Sequence, residues 1–306
     1  MSLPRGNSNY GGSEMAQFRI STHGRLQDWI AVEKGYFEEE GLDYVIDMRV
    51  LENADQDIAT PALSDVRTGA YELYQGGGGG KQNMSCACHW ATNQASTDAA
   101  GQMWGRAYSV LPSAIYVAAD SPIRQPQDLA NVEIAVGYHS GSHFSTIQAL
   151  EAFVPREQIN LRFVGMPYDR VDALLNGDVS AAAIWNAPSY IVEQLGFRKV
   201  VDSTFMAGFM FGAQTDPDDV ERYFKALRRA QMELDLAAEK YKHYYLKEIP
   251  TRYTDRVDVR AFGPGERIVF LPYTKETYQR SQEWLHERQL FPTSNAPLAY
   301  EQAVLA

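Results

Sequence analysis

Residues 132–151 read VEIAVGYHSGSHFSTIQALE. The apolar run 132–136 predicts a buried strand, and Ile147, Leu150 and Phe153 recur at helical spacing, so a helix follows. Between them lies a loop of Gly, Tyr, Ser and His. At such a turn several backbone N–H groups converge with the hydroxyls of Ser140 and Ser142, and the helix adds the positive end of its dipole. That combination suits a small anion or a polarised oxygen. The plainer alternative is an ordinary strand-to-helix turn with serine as N-cap.

Outward from this stretch, strands alternate with helices. Strands are expected at 18–21, 43–50, 72–75, 84–89, 113–118, 160–164, 181–185, 199–201 and 209–214. Helices are expected at 26–34, closed by Gly35, at 61–68 with Thr60 as N-cap, and at 170–175 and 189–195. From 218 to 246 and from 275 to 288 the pattern is helical and charged. The alternation predicts an α/β protein with parallel sheets flanked by helices. The apolar segments 113–118 and 209–214 bracket a self-contained block, which predicts two lobes joined by two crossing hinge strands. The expected division is a flexible lead-in at 1–16, a discontinuous first lobe at 17–112 and 213–306, and a second lobe at 113–212. A ligand cleft would lie between them.

The bulk properties exclude several classes. At 306 residues the chain is long enough for two lobes, and its formal net charge of −11 would repel phosphate backbones, so nucleic acid is not an expected partner. No apolar run reaches the roughly 18 residues of a membrane span. The segment MSLPRGNSNYGGSEMAQ has no apolar core of the secretory kind. The location is therefore periplasmic if a leader was removed ahead of this sequence and cytoplasmic otherwise. Cys86 and Cys88, two positions apart on an expected strand, do not suit a disulfide and read as free thiols.

The candidate site residues follow from these positions. His23 stands at the carboxyl end of the first strand, where ligands of open α/β sheets gather. Gln75, Gly76 and Gly77 stand at the start of five consecutive glycines. That run lacks the Gly-Lys-Ser/Thr of a phosphate loop and reads as a close-approach lip of the cleft. Ser140, Gly141, Ser142 and His143 form the anion loop, while Trp185 and Asn186 offer an aromatic wall and an amide at the end of strand 181–185. Cys86 and Cys88 are candidate catalytic thiols together with His23. Their one-residue spacing and the lack of a second cysteine pair argue against zinc, and neither metal nor cofactor is expected. His243 and His286 fall in charged helices and read as surface.

Several motifs in order resemble the two-lobed substrate-binding proteins of ABC importers for nitrate, sulfonates, taurine and thiamine-pyrimidine precursors. They are KGYFEEEGL at 34–42, SPIRQPQDL at 121–129, IAVG with Ser140-Gly141-Ser142, and ALLNGDV at 173–179 with Ala183-Ile184-Trp185. The resemblance implies the type II periplasmic-binding-protein-like fold, a small organic anion (sulfonate- or carboxylate-like) as ligand, and an ABC permease as partner. Enzymes resemble the same scaffold. Aromatic sulfinate desulfinases carry a catalytic Cys where this chain has Thr22-His23-Gly24, and thiamine-pyrimidine synthases carry a CCCFC motif that Cys86-Ala87-Cys88-His89 does not match. A binding protein is thus the leading expectation. The alternative is a cytoplasmic lyase, decarboxylase, desulfinase or hydrolase using His23, with or without Cys86 or Cys88.

Overall fold

The computed structural model describes residues 17–21, 24–47, 65–75, 83–212, 214–291 and 298–306. Its strands, in chain order, are β1 (Phe18–Ser21), β2 (Tyr44–Asp47), β3 (Ser85–Cys88), β4 (Gln102–Trp104), β5 (Tyr108–Leu111), β6 (Ser113–Val117), β7 (Glu133–Val136), β8 (Asn160–Phe163), β9 (Ala181–Trp185), β10 (Arg198–Asp202), β11 (Phe205–Phe211), β12 (Arg267–Val269) and β13 (Val304–Leu305). Two main sheets organise the chain into two lobes. One sheet has the order β10-β6-β9-β7-β8, and the other has the order β12-β5-β11-β4-β13 with β3 also on β11. The parallel pair β1-β2 joins the second sheet through a bridge from Ile20 to Met84.

The expectation of parallel sheets holds only in part. In the five-stranded sheet, β9-β7-β8 are parallel, but β6 is antiparallel to both its neighbours, β9 and β10. In the larger sheet β11 is antiparallel to β3, β4, β5, and β5 to β12. The expected crossing strand at 209–214 is β11, which starts at Phe205 and already belongs to the larger sheet. The short strands β4, β5, β12 and β13 were not anticipated.

Local chemistry accounts for the helices. Leu26–Lys34 ends as expected at Gly35, whose left-handed φ of 70° lets its N–H bond the carbonyls of Ala31 and Val32. The segment expected as a strand at 72–75 is instead a helix, Ala70–Gln75. Tyr71 and Tyr74, three apart, bury on one face, and the Glu72 carboxylate caps the Gly69 N–H at 2.9 Å. Residues 65–68, expected to end a helix, are not helical, and 60–64 lie outside the described residues. Strand β3 stops at Cys88, and His89–Thr97 forms an unanticipated helix. The helix Gly141–Leu150 ends before Phe153, which is exposed rather than on the core face.

Apolar packing ties the lobes together. One cluster runs from Phe18, Trp29, Phe37 and Phe209 through to Ile184 and Ile191. A second apolar cluster, with Ile115, Ile134, Val136, Leu150 and Ala183, lies within the lobe of the five-stranded sheet. Polar contacts close both flanks of the seam. On one flank, the Tyr168 hydroxyl donates to the Glu248 carbonyl at 3.0 Å and Arg252 pairs with Asp172 at 2.9 Å. On the other, Arg288 grips Glu151 with two bonds of 2.6 and 2.8 Å.

Candidate functional site

The carboxyl edge of the parallel strands β9-β7-β8 carries the Gly/Ser loop. Ser140 is the N-cap of Gly141–Leu150, yet its hydroxyl makes no cap bond. It donates instead to the Gly137 carbonyl at 2.7 Å. That commits the Ser140 proton, so the 2.9 Å contact between the two hydroxyls is a bond from Ser142 to Ser140. The Ser142 oxygen in turn accepts from the Gly137 N–H at 2.9 Å. Both hydroxyl protons are therefore consumed inside the loop, and they pre-organise it. The positive end of the helix remains for a guest. Gly141 is required by close approach, since a Cβ there would lie 2.2 Å from the Phe205 ring.

Histidines frame this loop. His143 is buried, and its Nδ1 accepts from the His139 N–H at 3.3 Å. Burial holds its pKa down to about 3, so it is neutral. His139 has a left-handed φ of 40°, unusual for a residue with a Cβ. Its ring is pinned between two acceptors, with Nδ1 at 2.5 Å from the Glu72 carboxylate and Nε2 at 3.0 Å from the Leu290 carbonyl. Burial lowers its pKa while Glu72 opposes the shift.

Trp185 closes β9 and meets the Phe205 ring edge-on at 6.3 Å, so Phe205 touches both Trp185 and Gly141. Trp90 and Phe144 continue this aromatic wall, with ring centroids 5.7 Å apart. The next residue, Asn186, is 1% exposed and strained at φ 55°, ψ −142°. Its amide nitrogen donates to the Gly24 carbonyl at 3.1 Å, bridging to the loop that follows β1. Its Oδ1 is buried and has no hydrogen-bond partner among the described residues.

The sequence-based candidates thus divide. Ser140, Gly141, Ser142, His143 and Trp185 gather around one loop and one aromatic wall, and Asn186 reaches the first-strand loop. His23, Gly76 and Gly77 lie outside the described residues. Gln75 is exposed and bonds Asp98 at 3.5 Å.

The two cysteines carry free thiols. Burial pushes Cys88 up to about 12. Cys86 is raised well above the ordinary thiol range by burial and then by Glu266, whose Oε1 accepts from its Sγ at 3.8 Å. His89, considered beside them, is a buried partner of the Tyr273 hydroxyl at 3.3 Å and of Ser281 at 3.2 Å, and burial holds its pKa at about 3. Among the described residues no group of three or more His, Cys, Asp or Glu could hold a metal.

One buried cluster was missed by sequence reasoning. Arg25, directly after Gly24, bonds Asp28 at 3.2 Å and the Tyr223 hydroxyl at 3.1 Å, and stands 3.6 Å from Glu266. Burial raises the Asp28 pKa and Arg25 pulls it back. An arginine opening a helix ordinarily reads as solvated, an Asp three residues on reads as an ordinary surface pair, and nothing local marks the other partners, Tyr223 and Glu266, which are distant in the chain.

No family model matches this chain, and no curated protein does. Solved structures do. An alkanesulfonate-binding protein, SsuA, from Xanthomonas axonopodis pv. citri bound to MOPS is 17% identical, with 96% of this chain and 99% of that one covered at a TM-score of 0.68. The periplasmic aliphatic sulphonate binding protein SsuA from Escherichia coli is 16% identical, with 94% and 96% covered and a TM-score of 0.64. The desulfurization enzyme DSZB is 14% identical, with 94% and 96% covered and a TM-score of 0.58. At such identities the likeness concerns the fold. The mixed sheets, the two lobes and this likeness over nearly the whole length lead to one conclusion: the chain has the two-lobed, type II fold of the periplasmic binding proteins.

Proposed function

We propose that this protein binds a small organic anion, sulfonate- or carboxylate-like, between its lobes, in the manner of a substrate-binding component of an ABC importer. The observation that carries the reading is the Gly/Ser loop at the carboxyl edge of the parallel strands. Its hydroxyls lock one another, the positive end of a helix stands behind it, and an aromatic wall of Trp185, Phe205 and Trp90 lies beside it. An anionic head at the loop and an apolar tail on the wall would be matched together. On this reading Ser140, Gly141, Ser142, His143, Trp185 and Asn186 are the second-lobe contacts, and His23, Gln75, Gly76 and Gly77 the first-lobe ones. The lobe limits proposed are 113 and the 203–204 turn ahead of β11. A periplasmic location and delivery to a permease belong to the same reading, as two of the neighbours are sulfonate-binding proteins.

The enzymatic alternative rests on His23, which lies outside the described residues, with or without Cys86 or Cys88, and the chemistry of the thiols speaks against a part for them. A thiol held protonated by burial, with a carboxylate beside it, is a poor nucleophile.

Calorimetric titration with alkane- and arylsulfonates and matched carboxylates tests the proposal. The expected result is saturable binding of at least one anion with no turnover. Steady consumption of a sulfinate or sulfonate would favour the enzyme, and no binding by any member of the set would refute the anion reading.

A further inference from the structure

Arg170 lies on the first turn of the helix Pro167–Leu175 and is 1% exposed. Its guanidinium donates to three backbone carbonyls: Nε to Ala183 at 3.1 Å, and Nη1 to Val164 at 3.2 Å and Gly165 at 2.8 Å. All three acceptors are neutral, and among the described residues no carboxylate forms an ion pair with it. The adjacent Asp169 carboxylate is turned to the Met166 N–H at 2.6 Å. The buried positive charge is thus hydrogen-bonded only to dipoles, and the attraction of Asp169, whose carboxylate is committed to a backbone N–H, is outweighed by burial, which is costly unless something else answers the charge. Burial draws the Arg170 pKa down to about 10, so the group is still charged at neutral pH.

The location of this charge gives it a use. A Cβ placed on Gly137 would sit 3.0 Å from Arg170 Nη1 and 2.9 Å from Ser140 Oγ. The guanidinium and the Gly/Ser loop therefore face each other across one bare Cα. The nearest acidic group known to touch the loop, Glu72, is engaged by His139 and by the Gly69 N–H. We propose that Arg170 is a specificity-determining residue: its buried charge, bonded only to neutral carbonyls and set beneath the Ser140 loop, makes the site take a guest with a full negative charge and reject an uncharged guest of the same shape. This rests on the anion-binding reading above and adds the source of its charge selectivity. A residue that only tied the three carbonyls together would need hydrogen-bond donors and no charge.

The test compares hexane-1-sulfonate with hexane-1-sulfonamide by calorimetry on the full chain. The wild type is expected to favour the sulfonate by tenfold or more, about what a charge-assisted contact supplies. Arg170→Gln, which keeps donors for the carbonyls without the charge, should lose most of that preference while sulfonamide affinity stays within about threefold. Arg170→Lys should retain it. A wild-type preference near unity would overturn the proposal, and this arm needs no variant to fold. A preference surviving in Arg170→Gln would also overturn it and leave the helix terminus as the source. If the wild type binds neither compound nor any other anion, the anion-binding reading itself fails, an outcome distinct from the other two.

Discussion

The side-chain amide of Asn186 lies 3.1 Å from the carbonyl of Gly24, so the end of β9 in one lobe is fastened to the loop after β1 in the other. The same amide keeps its oxygen buried and, among the described residues, unpaired. A strained, buried residue with one satisfied and one orphaned polar atom is stable only when the surroundings or a guest compensate. Asn186→Gly tests this. Glycine accepts φ 55° freely, so the thermal midpoint should stay within a few degrees. Hexane-1-sulfonate affinity should fall about tenfold, as expected for one lost hydrogen-bonding group in a buried site. An unchanged affinity would remove Asn186 from the site.

Gly141 and Phe205 form a close contact that has no room for a methyl group. Gly141→Ala should destabilise the fold by roughly 1–3 kcal/mol through overpacking. Phe205→Leu in the same chain should recover part of that loss, because neighbouring substitutions that share a contact do not add. Denaturant unfolding of the two single variants and the double variant measures the coupling.

Acid should act through His89 and His143. Both are held near pKa 3 by burial, against about 6.5 for an exposed histidine. Between those values the unfolded chain binds protons that the folded one refuses, so the stability each histidine contributes falls as pH falls through that window. Comparing the wild type with His143→Gln, and separately with His89→Gln, isolates each residue. The wild-type advantage should shrink by roughly 1 kcal/mol per unit between pH 6 and 4. A constant difference would mean that the histidine is not neutral in the folded state.

Arg288 and Glu151 share two short bonds across the flank of the seam, with side-chain exposures of 17% and 20%. The pair favours the closed arrangement by about 1 kcal/mol at most. Glu151→Gln should therefore raise the radius of gyration of the guest-free protein in small-angle scattering and leave that of the liganded protein unchanged. Identical scattering with and without the substitution would show that the pair has no part in closure.

Much of the five-stranded lobe was legible in the sequence, because its signals are local. A buried apolar strand, a Gly/Ser turn and a helical stripe identify 132–150 without help from elsewhere, and AAAIW at 181–185 reads as a strand buried on both faces. The helix His89–Thr97 was not legible. It has no apolar stripe, and eight of its residues are buried, with Asn93 satisfied by Tyr273 and by the Tyr278 carbonyl from a distant helix. The helix Ala70–Gln75 is too short for its period to be separated from a strand's. At the site, serines and Asn186 stood out because polar residues next to buried strands need partners. Arg170 did not, since a helical arginine ordinarily lies in solvent and its three carbonyl partners come together only when β8 and β9 flank β7 in one sheet.

The most direct measurement is a crystal structure of the protein with hexane-1-sulfonate. The sulfonate oxygens are predicted within hydrogen-bond reach, about 3 Å, of the Gly141 and Ser142 N–H groups, with the alkyl chain along Trp185 and Phe205. A sulfonate bound on another surface, with the space between the Ser140 loop and Asn186 left to solvent, would contradict the account.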